Sequence, residues 1–111
     1  MNAQTLAERR HFTNLRRLIE DSAPLPKATI RWGARRLPPD NLAELDASVA
    51  RRDGRGEAPS GVDERLQAAY DSFTPEQKAA LHYIVSKMGQ SQVIELEALV
   101  GRNEKLLRQS R

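Results

Sequence analysis

The sequence predicts an all-α protein of about five helices, with a helical hairpin forming the core of its C-terminal half. Three observations carry that expectation. In successive segments the apolar residues recur at three- and four-residue steps, the spacing that gathers them on one side of a helix. Helix starts are written out chemically, most completely in Thr74-Pro75-Glu76-Gln77, and helix stops fall at glycine or proline. Finally, 111 residues that are 39% hydrophobic, with a mean hydropathy of -0.66, allow one small domain with a thin core. So thin a core makes help from a second copy or a partner part of the expectation.

From Gln4 to Asp21, Phe12, Leu15, Leu18 and Ile19 keep helical spacing, while Arg9, Arg10, Arg16 and Arg17 repeat at seven-residue intervals on the other side. This predicts an amphipathic helix with a basic back, on which His11 reads as a packed histidine. Ser22 to Pro39 holds Pro24, Pro26, Pro38 and Pro39, whose rings clash with a preceding helical turn and whose nitrogens carry no donor. The expectation there is an extended arm, with Ile30 and Trp32 suited to a short strand-like piece at most. Asp40 to Arg52 follows the proline pair and predicts a helix that buries one narrow stripe, Leu42, Leu45 and Val49. The Gly-rich, charged stretch Arg51 to Gly61 reads as a linker, flexible over residues 53–60.

Beyond it, Ser60 is placed to cap a helix with Val62, Leu66, Ala69, Tyr70 and Phe73 on one face. Thr74-Pro75 restarts the chain into a helix bearing Leu81, Ile84, Val85 and Met88, and Gly89 suits the left-handed closing position. Ser91 is placed to cap a last helix running to about Gln109. On that helix Val93, Leu96, Val100, Asn103 and Leu107 alternate three- and four-residue steps, with Leu99 and Leu106 beside them. An apolar seam with one asparagine is the pattern of a short coiled-coil pair and predicts a homodimer; the alternative is that the stripe packs on its own domain. The domain reading is therefore 1–52, a basic helix, Pro-rich arm and short helix; 53–60, a linker; and 61–111, the helical core and oligomerisation region.

The net charge of +3 conceals an asymmetry. Met1 to Arg36 has 8 basic and 3 acidic residues (+5), Leu37 to Ser60 has 3 and 5 (−2), and Gly61 to Arg111 has 7 and 7 (0). A basic front implies an anionic surface as partner. The stretch KATIRWGARRLPP, Lys27 to Pro39, sets the lone Trp32 among Arg31, Arg35 and Arg36. Arginine and tryptophan dominate protein-protein hot spots, and prolines lower the entropy lost on docking. The candidate partner-binding set is thus Arg9, Arg10, Arg16, Arg17, Arg31, Trp32, Arg35 and Arg36, facing an acidic or apolar groove of another protein. The competing reading puts Trp32 in the core of the N-terminal half.

Little in the sequence supports catalysis. His82 and Ser86 stand one helical turn apart, but no third group orients them, and there is no cysteine. Metalloprotease, phosphate-loop, dinucleotide and calcium-loop motifs are missing, and the acid pairs Asp63/Glu64 and Glu95/Glu97 read as solvated faces. No cofactor or metal is expected. His82 to Asn103 is superficially similar to a helix-turn-helix, yet it has Val85 where a small residue is needed, and Glu95 and Glu97 on the would-be reading helix. The charged start resembles neither a secretion signal nor a membrane span, and the lack of cysteine suits a reducing compartment, so a cytoplasmic address is expected. These features together suggest a non-catalytic regulator or adaptor that binds another protein, for example an anti-activator masking a transcription factor. The alternative is a nucleic-acid-binding accessory that sets its arginines on phosphates and stacks Trp32 on a base.

Overall fold

The computed structural model describes residues 12–52, 59 and 61–109, with side chains through Asn103, and every regular element among them is a helix. The elements are α1 Thr13–Asp21, α2 Pro24–Ala34, α3 Pro39–Arg51, α4 Glu64–Ser72, α5 Pro75–Ser86 and α6 Gln90–Gln109. That is six helices rather than five, because α2 occupies the stretch expected to be an extended arm.

The prolines explain the difference. Pro24 stands at the first helical position of α2 and Pro26 within its first turn, where a backbone N–H would have no acceptor inside the helix. The first bond is made by the Lys27 amide, which donates to the Ala23 carbonyl at 2.9 Å. Pro38 and Pro39 form the cap and first position of α3 in the same manner. Four prolines thus mark two helix starts. Past them, α2 buries Leu25, Thr29, Ile30, Trp32, Gly33 and Ala34. The Thr29 hydroxyl, sealed in that interface, donates to the Leu25 carbonyl at 2.8 Å.

The core is shared between the two halves of the chain. Leu15, Ile30, Leu42 and Leu45 from α1 to α3, and Leu66, Tyr70, Leu81, Ile84, Leu96 and Val100 from α4 to α6, are all sealed from solvent in one cluster. Helix α5 is central, packing on α2, α3 and α4, while α6 lies against α2 and α4, and α1 against α2 and α3. Helix α2 meets α5 tightly at Gly33. A β-carbon built there would lie 2.5 Å from Cγ2 of the buried Ile84, so the missing side chain sets the spacing of the two helices.

Helix starts are secured partly by local and partly by distant groups. As predicted, α5 begins with a capping box: the Thr74 hydroxyl accepts from the Gln77 amide at 3.3 Å and the Gln77 side-chain oxygen accepts from the Thr74 amide at 2.9 Å. The Gln77 amide group also donates to the Ser22 hydroxyl at 3.0 Å, and that hydroxyl donates to the Leu18 carbonyl, which ties α5 to the end of α1. Gln77→Ala should therefore lower stability by about 1.5 kcal/mol, more than a cap alone is worth, since the Thr74 amide is stripped of its acceptor and the buried Ser22 hydroxyl of a donor. Urea denaturation measures it, and a loss under about 0.5 kcal/mol would show the relay to be inert.

Helix α4 is capped by Asp63, whose carboxylate accepts from the Leu66 amide at 3.0 Å; Ser60, the expected cap, lies outside the described residues. The Asp63 amide in turn donates to the Glu97 carboxylate of α6 at 2.7 Å. Glu97 is only 9% exposed, so it is a tertiary capping group and not part of a solvated face. Similarly, α1 has no side-chain cap of its own, and Asp46 of α3 accepts from the Leu15 amide at 2.8 Å and from the Asn14 side chain at 3.2 Å. Gly89 does not close α5 in a left-handed conformation. Instead it caps α6, its carbonyl accepting from the amides of Gln92 and Val93 while the Gln92 side chain reaches back to its N–H, and Ser91 falls inside the first turn.

Candidate protein-binding face

The outer side of α2 is built from a simple register. Lys27, Arg31 and Arg35 are four residues apart and so stand one above the other on successive turns, opposite the face that packs on α5 and α6. Arg31 and Arg35 are exposed and Lys27 is half-buried. None of the three has an acidic partner among the described residues; the ion pairs there, Arg52 with Glu76 at 3.0 Å and Arg65 with Asp63 at 2.9 Å, lie elsewhere. Like charges at this spacing destabilise a helix. The negative end of the α2 dipole offsets that for Arg31 and Arg35, but Lys27 is in the first half of the helix, where the dipole opposes it. Helix stability alone does not account for the stripe.

Arg36, in the turn after α2, stands apart from that row and lies over Trp32, one helical turn back. Its guanidinium stacks 4.3 Å from the centroid of the Trp32 ring and donates to the Trp32 carbonyl at 3.0 Å, and the residue as a whole is exposed. Trp32 itself is 9% exposed and belongs to the core cluster. The sequence had suggested an exposed docking anchor at this position. The indole serves instead as the floor beneath Arg36, because α2 is helical and turns residue 32 inward.

The remaining expected residues divide. Arg16 is half-buried on α1, with its Nε enclosed and without a hydrogen-bond partner. Arg17 is exposed and lines a shallow groove of about 360 Å³ with Leu18, Asp21, Val49, Arg52 and Glu76. Arg9 and Arg10, like His11, lie outside the described residues. Lys27 was missed; its membership follows from four-residue spacing once the stretch is known to be a helix.

The proposed dimer seam lies elsewhere in the packing than expected. Leu96 and Val100 are fully buried and Val93 is 9% exposed, all within the chain's own core, so the internal alternative describes them. The Asn103 side chain donates to the Leu99 carbonyl of its own helix at 2.8 Å, and the Leu107 side chain is outside the described residues. Among the described residues of α6, the large apolar side chain that is exposed is Ile94, at 57%.

The Ser86 hydroxyl donates to the Tyr83 carbonyl at 2.6 Å, which satisfies it within its own helix. Tyr83 donates to the Glu44 carboxylate and joins α5 to α3; burial first, and the accepting carboxylate second, push its phenol well above the usual range. Among the described residues no three His, Asp or Glu side chains are grouped as a metal site, and no helix is long and apolar enough to cross a membrane. Against known protein families, curated proteins and solved structures, the chain shows no match.

Proposed function

We propose that this chain is a non-catalytic regulatory or adaptor protein that works by binding another protein, as an anti-activator masking a transcription factor would. The observation that carries this reading is the row Lys27, Arg31 and Arg35, standing without acidic partners among the described residues on the outer face of a helix whose other face is committed to the core. Oriented charge on a rigid helix steers encounter and selects a complementary surface. Burial of Trp32 shifts the expected interface from apolar to electrostatic, and the partner from one with an apolar groove to one with an acidic surface.

The nucleic-acid reading loses its stacking platform for the same reason, since the indole is packed below and covered by Arg36 above. Salt weakens a charged complex with either kind of partner, so nuclease treatment is the better discriminator. The double charge reversal Arg31→Glu with Arg35→Glu should leave the melting temperature within a few degrees of wild type, because both side chains are exposed, and should abolish capture of the partner from nuclease-treated host extract. Capture that is unaffected by the reversal, or that disappears on nuclease treatment alone, would overturn the assignment.

A further inference from the structure

We infer that Arg36, held on the Trp32 ring at the end of α2, is a specific anchor, that it takes a carboxylate from an acidic segment of the partner, and that Trp32 reports the event. The inference rests on the protein-binding reading and adds to it the ligand chemistry and the residue that senses it. Most surface arginines lose several rotatable bonds of freedom when they grip an anion. Arg36 has already lost much of this freedom, because the cation-π stack and the bond to the Trp32 carbonyl fix its plane before any ligand arrives. A guanidinium has five donors. One is spent on the carbonyl, and the four left on this exposed residue include a two-pronged edge suited to a carboxylate. Arg35, its neighbour in the chain, begins the exposed row that runs back along α2 through Arg31 to Lys27.

A carboxylate-rich protein segment fits this site better than a polyphosphate chain. The cation row from Lys27 to Arg35 is short, spanning about two turns of helix, and offers little length for a long phosphate backbone to follow. Phosphate-tracking grooves also interleave aromatic faces on which bases stack. Here the one aromatic ring at the site is occupied by Arg36.

A purely structural role for Arg36 is the main competitor: its bond to Trp32 closes one of the last carbonyls of α2, and its charge suits that end of the dipole. The substitution Arg36→Lys separates the two. Lysine keeps the charge, can still reach a carbonyl and can still approach the ring, but has no fork. Trp32 is the sole tryptophan in the chain, so its emission can be followed without a label. Titration of the whole protein with a short capped Glu-Ala peptide should change that emission saturably, and Arg36→Lys should bind the peptide roughly tenfold more weakly while melting close to wild type. A single-stranded oligonucleotide of matched charge should bind more weakly than the peptide. Equal peptide affinity for wild type and Arg36→Lys, an unresponsive Trp32, or tighter binding of the oligonucleotide would each overturn the inference. Because the titration needs no natural partner, its failure is distinct from failure of the capture experiment.

Discussion

Leu96→Glu should leave the chain unfolded or nearly so, whereas Ile94→Glu on the same helix should be almost silent. Leu96 is fully buried where α6 lies against α2 and α4, and Ile94 is 57% exposed two residues away. A carboxylate at position 96 forfeits the transfer energy of a buried leucine and must either stay charged without a partner or take up a proton. Together these cost about 4 kcal/mol or more, comparable to the whole stability of a small domain. The same experiment decides what the stripe is for. A seam between two copies would respond to Leu96→Glu by giving folded monomers from a dimeric wild type; an internal stripe responds by loss of helical circular dichroism at every protein concentration. Folded monomers would show that the packing described for α6 is wrong.

Gly33→Val should be nearly as damaging, by about 3 kcal/mol, with Gly33→Ala falling between it and wild type. Helix propensity alone predicts the opposite sign for alanine, since glycine in a helix interior is worse than alanine by about 1 kcal/mol. Packing decides against propensity here because the new β-carbon would lie within 2.5 to 2.8 Å of three carbons of Ile84, a branched residue with no exposed surface into which to retreat. Space can be restored from the other side. Ile84→Ala leaves a cavity on its own, but in the Gly33→Val background the two changes partly fill each other, so the double variant should be more stable than the sum of the single losses predicts. Thermal melts of the four proteins complete the cycle. A stabilised Gly33→Ala, or strict additivity, would mean that α2 and α5 do not meet as described.

What could be read from the sequence was whatever depends on neighbours along the chain. The Thr74-Pro75-Glu76-Gln77 start of α5 was legible because all its partners lie within four residues. The stripes Leu42, Leu45, Val49 and Leu66, Ala69, Tyr70 were legible because each keeps a single period through one helix, and all six are buried; Val62 and Phe73, read with the second stripe, flank α4, the first half-buried and the second buried. Helix α2 was missed because its prolines were weighed as breakers without regard to position, although Leu25, Thr29, Ile30 and Gly33 keep helical spacing after them. The error propagated to the site. A residue in an extended arm points to solvent by default, while the same Trp32 on a helix is committed to whichever face packs. Nor could any local pattern show that Glu97 would hold the Asp63 amide or that Asp46 would hold that of Leu15, since 34 and 31 residues separate these partners.

Those two distant carboxylates also bear on cooperativity. Helices α1 and α4 have 9 residues each, below the length at which an isolated helix persists in water. Each draws an acceptor for its opening amides from another helix, α1 from α3 and α4 from α6. Neither is then expected to fray and re-form on its own; it loses that acceptor only when its donor helix departs. The Leu15 and Asp63 amides, although each sits at a helix start where exchange is ordinarily fast, should consequently exchange with solvent deuterium as slowly as amides near the middle of α5, through opening of the whole domain.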